Sequence, residues 1–223
     1  MNRPVIIIGG EGNGGVIAAC IDDNRMRYGI SEYKVYGFIT DYQKVGDSIN
    51  GYPVLGSTDD IEDFITEEDF MFMYAIHPIG RGKKREEIFN KVGIKSDRYA
   101  TIIHPTAFVP ESVIIHPGVL IMANTYVGSA TEIGANTLIK ASCLIGHNNK
   151  VGHLSTFSAG CIVSSYVNIG KCSDVAFGAR VMEKVTMGDY STAGAASLVL
   201  KDIGKNEIHV GSPAKFLKYG KED

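Results

Sequence analysis

The chain has 223 residues, 44% of them hydrophobic and 21% charged, with a formal net charge of −3 and four cysteines. That length holds one or two domains with a real core, and the near balance of charge excludes a global attraction to nucleic acid or membrane surfaces. No apolar run is long enough to span a bilayer, and the opening MNRPVIIIGG has no secretory cleavage region, so a cytoplasmic, reducing location is the expectation.

Residues 1–103 alternate between strand and helix patterns. Residues 5–8 read as a buried strand, followed by the glycine-rich turn GGEGNGG at 9–15 and a helix over 16–27. A second strand spans 34–39 and ends at Thr40 and Asp41; residues 52–55 follow a turn. Residues 58–65 read as a short helix behind a Ser/Thr/Asp cap. Residues 70–76 form the third main strand, 83–92 a charged amphipathic helix, and 99–103 lead out. Such alternation predicts a Rossmann-like α/β domain with a parallel sheet.

At His104-Pro105-Thr106 the pattern changes, and helical patterning does not return before the last residues. Apolar or small residues recur every sixth position from Val109 to Val199, without an insertion. The row includes Val127, Ile133, Ile139, Ile145, Val151 and Phe157. Neither a helix nor a plain strand has this period; a parallel β-helix does. Glycine follows the inner residue at 128, 134, 146, 152, 170, 188 and 194, which suggests corners in left-handed or strained backbone. Three hexads make one coil of a triangular prism, so residues 18 apart stack. Cys143 then lies beneath Cys161 at about 4.8 Å, close enough to bridge, although reduced thiols are expected in a cytoplasmic setting.

The opening IIIGGEGNGG, then GFITD, NGYPVLGSTDDI, the linker IIHPTAFV, the hexads, IGHNNKVG and the closing VGSPAKFLK carry a resemblance over nearly the whole chain. They resemble the left-handed β-helix, or hexapeptide-repeat, acyltransferases. Among these they are most similar to bacterial sugar acetyltransferases of the sialic-acid O-acetyltransferase and UDP-4-amino-sugar N-acetyltransferase type. The resemblance implies an α/β domain over 1–103 that holds a nucleotide sugar and a β-helix over 104–223. It also implies a homotrimer, acetyl-CoA bound between neighbouring coils, no required metal, and a histidine acting as general base.

His147 matches that histidine, and the repeat phase places it outside the core. An imidazole suits removal of a proton from an attacking amine or alcohol near neutral pH. Asn148 stands where many members carry an acid; a neutral amide can orient the ring but lends it no charge. Hydroxyl acceptors need stronger base assistance than amines, so Asn148 favours N-acetylation of an amino sugar over O-acetylation of the sialic-acid type. A non-catalytic ligand-binding protein is the alternative of another class. Thr156 and Asn13 replace two further family histidines.

The turn at 9–15 sits between strand and helix, where backbone N–H groups favour phosphate, although a plain tight turn has the same appearance. By resemblance, Gly9, Gly12, Asn13, Gly14 and Asp41, with Thr156, form the nucleotide-sugar site. Ser165, one coil above His147, approaches the thioester. Ala195 and Ala196 leave room for the pantetheine arm, and Lys201, with Lys184 and Lys205, offers charge to the CoA phosphates. His77 and His104 precede prolines, and His116 and His209 lie outside recognised motifs. A zinc site pairing His153 with His147, as for hydration chemistry, lacks the spacing for three histidines.

Overall fold

The structure is a computed structural model that describes residues 2–221. The N-terminal half is a sheet in the order β3-β4-β2-β1-β5, built from β1 (Arg3–Ile8), β2 (Tyr33–Ile39), β3 (Ser48–Ile49), β4 (Tyr52–Gly56) and β5 (Met71–Tyr74). Its four main strands are parallel, and only β3 runs antiparallel, against β4. Val5 to Ile8 are completely buried because helices α1 (Asn13–Tyr28) and α3 (Gly82–Val92) and neighbouring strands cover both faces. The segment expected as one helix at 58–65 divides into a 3₁₀ turn, Thr58–Asp60, and a single turn α2 (Glu62–Ile65). Ser57 and Asp60 form a reciprocal cap there, and the Asp41 carboxylate holds Thr58, so the chain is pinned before a longer helix can develop.

The C-terminal half is a left-handed parallel β-helix. Two-residue strands stack at an 18-residue register into three sheets, for example Leu120, Leu138, Thr156 and Asp174 on one face. The first rung is Ile102–Ile103, which pairs with Leu120–Ile121. The predicted inner row fills the core: Val127, Ile133, Ile139, Ile145, Phe157 and Val163 have no exposed surface. Each such side chain contributes about 1.5–3 kcal/mol of transfer free energy.

The corners depart from expectation. Positive φ falls at every sixth residue from Gly118 to Ala196, between +54° and +80°, and most of these residues are not glycine: Asn124, Asn136, Asn148, Leu154 and Tyr166 are examples. The recurrent glycines have another task. A Cβ on Gly128 would lie 2.5 Å from the His147 nitrogen, and one on Gly146 would lie 2.7 Å from the Ser164 carbonyl carbon. They are glycine because the next coil's backbone passes directly over them, not because φ is positive. The last described residues form no helix either: Glu207–Val210 and Lys215–Tyr219 make a hairpin that closes one sheet.

The three faces of the prism differ. One is covered by the α/β half, so its outward residues Leu120, Leu138, Thr156 and Asp174 are buried. The second presents Glu132, Lys150, Asn168 and Thr186. The third presents Phe108, Tyr126, Leu144 and Ile162, all at least 38% exposed.

Candidate active site

A cavity of about 530 Å³ opens at the C-terminal ends of β1, β2 and β5, the position at which doubly wound sheets bind ligands. Gly9, Gly12, Asn13 and Asp41 line it. Gly14 lies just behind, where a Cβ would sit 2.9 Å from the Gly9 carbonyl oxygen. Helix α1 starts there without a side-chain cap or a first-turn acid, and the backbone N–H groups of Asn13 and Gly14 have no acceptor among the described residues. Those amides and the helix dipole face a site that favours an anion. Arg81 and Lys84 add positive charge on the opposite wall.

Two candidates are held by the protein itself. The Asn13 amide nitrogen donates to the Ala75 carbonyl at 3.2 Å, tying the glycine turn to the end of β5. The Asp41 carboxylate accepts from the Thr58 N–H at 2.7 Å and from its hydroxyl at 3.0 Å. Thr156 does not line the cavity. It is fully buried on the covered face of the prism, with its hydroxyl 2.9 Å from Nδ1 of His77, which does line the cavity.

The seam between the halves holds residues the sequence did not single out. Arg85 of α3 is completely buried and pairs with Asp174 at 2.6 Å, while also donating to the Leu154 and Pro78 carbonyls. The other Asp174 oxygen accepts from the Gly80 N–H at 2.8 Å. Beside this pair, Glu86 accepts from Lys171 at 2.7 Å and from the Tyr190 hydroxyl at 2.6 Å, with His153 at 3.4 Å. Those partners outweigh partial burial and hold the Glu86 carboxyl below its ordinary range. Glu86, His153 and Cys172 could in principle gather round a metal ion. However, burial pushes the Cys172 thiol up to about 12, and an ammonium already occupies the carboxylate, so the cluster is built as an interdomain clamp. His153 is therefore engaged with α3 and does not face His147. The outward apolar Leu120 and Leu138 were the sequence signal for this covered face.

His147 stands at a different corner, the one between the apolar third face and the polar second face, and it is exposed. Asn148 turns into the left-handed region, φ +58°, which Asn tolerates well, and its Oδ1 lies 2.8 Å from His147 Nδ1. Nδ1–H thus donates to the amide, and Nε2 is left as a lone pair with no partner among the described residues. Tyr166 packs edge-on against the ring at 5.2 Å. Beneath the surface, fully buried Asn149 donates to the Gly146 and Ser164 carbonyls, both at 2.9 Å, and accepts from the Val167 N–H at 2.7 Å. This brace fixes the corner from inside.

Ser165 stacks on His147 as the register predicts: its hydroxyl accepts the His147 N–H at 3.2 Å. The Ser165 N–H itself has no acceptor among the described residues. The other cofactor candidates divide between corners. Lys201 lies on the His147 side, in a final coil where Ile203 meets Met187 two residues short of the usual register. Ala195 and Ala196 are exposed across the third face, at the corner shared by Ala159–Gly160 and Phe177–Gly178. Cys143 and Cys161 stack as expected, as free thiols with sulfurs 3.5 Å apart.

This two-part arrangement is that of a hexapeptide-repeat transferase, with a cavity at the ends of the α/β strands and an exposed imidazole at a far corner of the prism. Residues 4–92 match the PglD N-terminal domain, and residues 112–147 match the bacterial transferase hexapeptide of six repeats. No curated relative matches at the sequence level. Among solved structures, the chain is similar to the acetyltransferase domain of PglB from Neisseria gonorrhoeae FA1090 in complex with acetyl coenzyme A. That match has 27% identity over 97% of this chain and 100% of the other, with a TM-score of 0.81. The fold is also shared with a mutant of perosamine N-acetyltransferase from Caulobacter crescentus in complex with CoA and GDP-perosamine, at 24% identity, 96% and 97% coverage and a TM-score of 0.80. WeeI from Acinetobacter baumannii AYE shares it at 21% identity, 96% and 100% coverage and a TM-score of 0.60. The chain has the hexapeptide-repeat acetyltransferase fold over nearly its whole length and is an acyltransferase.

Proposed function

We propose that the protein transfers the acetyl group of acetyl-CoA to the amine of a nucleotide-linked amino sugar, a step towards a bacterial surface glycan. One observation carries the reading: an exposed imidazole with Nδ1 tied down and Nε2 open, one coil below an unpaired backbone N–H. His147 Nε2 takes a proton as the sugar nitrogen attacks the thioester carbonyl. The oxygen gains charge and is stabilised by the Ser165 N–H. The C–S bond then breaks, the amide forms, and CoA leaves as thiolate or takes the proton back as thiol. The pairing with neutral Asn148 supports an amine acceptor. The α/β half, residues 1–103, holds the nucleotide sugar, with phosphates at the start of α1. Ser165, Ala195, Ala196 and Lys201 flank the acetyl-CoA path on the β-helix, residues 104–223.

The cavity and His147 belong to separate sides of one copy, which supports a site completed by a second copy. The exposed Phe108, Tyr126, Leu144 and Ile162 face suits a homotrimer in which the His147 corner of one copy meets the cavity of the next. No helix among the described residues is long and apolar enough to cross a membrane, and free buried thiols support a cytoplasmic setting. The test is thiol release from acetyl-CoA against UDP-, dTDP- and GDP-linked amino sugars and free sialic acid. Release with an amino sugar is expected. Release with sialic acid alone would move the reading to O-acetylation, and CoA binding without any release would make the protein a binding module.

A further inference from the structure

The loop after β2 carries an amide that the reaction so far leaves unused. Gln43 lines the cavity, half-buried, two residues beyond Asp41. Its orientation follows from Thr40, which is buried. The Thr40 hydroxyl accepts from the Tyr42 N–H at 3.3 Å, so its own proton needs an acceptor, and Gln43 Oε1 lies 3.2 Å away. Oε1 therefore faces Thr40, and the amide nitrogen is left as a double donor. Nε2 has no hydrogen-bond partner among the described residues and keeps solvent-accessible surface. Packing fixes the amide as well. A Cβ on Gly10 would lie 2.9 Å from Gln43 Oε1, so the side chain crosses the glycine turn in space that a larger residue would fill. Gln43 thus joins the end of β2 to the start of that turn as a held, uncharged and accessible donor.

The place of Gln43 in the sheet says which part of a ligand it meets. In doubly wound sheets the diphosphate lies at the helix N-terminus, and an acid some twenty residues on, at the second strand, takes the ribose 2′-hydroxyl. The phosphate end here is marked by the free Asn13 and Gly14 N–H groups. Gln43 stands ahead of them, over Gly10 and beside the end of β2. At the acid's position, Asp41 is held by Thr58, whose N–H and hydroxyl each bind one carboxylate oxygen. The group left free on the ribose side is the Gln43 amide. We infer that Gln43 is a specificity-determining residue that donates a hydrogen bond from Nε2 to the ribose 2′-hydroxyl oxygen of the nucleotide-linked substrate. The protein then takes ribonucleoside diphosphate sugars in preference to 2′-deoxy ones. The inference rests on the proposed function and deepens it by naming the pentose of the nucleotide.

Calorimetric titration of the full chain tests this with GDP and UDP against their 2′-deoxy forms, on wild type, Gln43→Met and Thr40→Val. The readout is the ratio of ribo to deoxy affinity, taken on whichever base the wild type binds. Wild type is expected to bind the ribonucleotide about tenfold more tightly than its 2′-deoxy form. Gln43→Met keeps the length of the side chain and removes both N–H donors. It should bring the two forms to equal affinity, at the level of the wild type with the deoxy form. Thr40→Val, which releases the amide from its fixed orientation, should lower the ratio by a smaller factor. Equal affinities in wild type would overturn the inference and leave the proposed function standing. So would a ratio that Gln43→Met leaves unchanged, including one in which both forms weaken equally because the amide binds a phosphate. Should Gln43→Met fail to fold, an unchanged ratio in Thr40→Val has the same force. Wild type that binds neither GDP nor UDP would overturn the nucleotide part of the proposed function, and this inference with it.

Discussion

The cavity and the His147 corner are built on opposite plans. The cavity is bounded by three strand ends, and the loop with His77 and Pro78 in its wall is tied at the seam to buried Arg85 and Asp174. The corner is exposed, and one side-chain hydrogen bond orients its reactive ring. Recognition of a specific ligand needs preformed, desolvated groups, and enclosure supplies them. Proton transfer needs an accessible lone pair at a defined angle, which a rigid coil gives even at the surface. Because each region lacks what the other has, the reaction we propose requires the cavity of one copy to meet the His147 corner of another.

Three variants test this contrast. His147→Ala removes the base from an exposed position, so kcat should fall about 10²–10⁴-fold while the melting temperature stays unchanged. Steady-state thiol release and a thermal melt check both halves of that statement. Asp174→Ala should do the reverse in kind. It strands a buried guanidinium and frees the Gly80 loop, costing about 3–5 kcal/mol of stability in a denaturant titration. If Asp174→Ala left stability unchanged, the seam would not be the rigid region we describe. Asn148→Ala should have the smallest effect, about tenfold in kcat with KM nearly constant, because the ring remains but its tautomer and angle are no longer fixed.

The β-helix was legible because its rule is local: each inner side chain is one hexad from the next, and stacking follows by counting. His147, Ser165 and the buried inner row therefore stand where the six-residue period puts them. The same counting misassigned the glycines. Spacing alone does not distinguish a residue with positive φ from one crowded by the coil above; Asn148 and Leu154 took the first role and Gly128 and Gly146 the second. His77 was passed over because a lone histidine before proline carries no pattern. Its buried contact is with Thr156, which is 79 positions away.

The sequence by itself determined the winding of the second half, the α/β character of the first and the corner on which the imidazole stands, since hydrophobic period and strand–helix alternation are written into neighbouring residues. Only the tertiary structure decided which face of the prism the first half covers, that Arg85 meets Asp174, and that His77 meets Thr156 across the seam. Those contacts join residues far apart along the chain, and their energies depend on burial that exists only once the two halves have packed together.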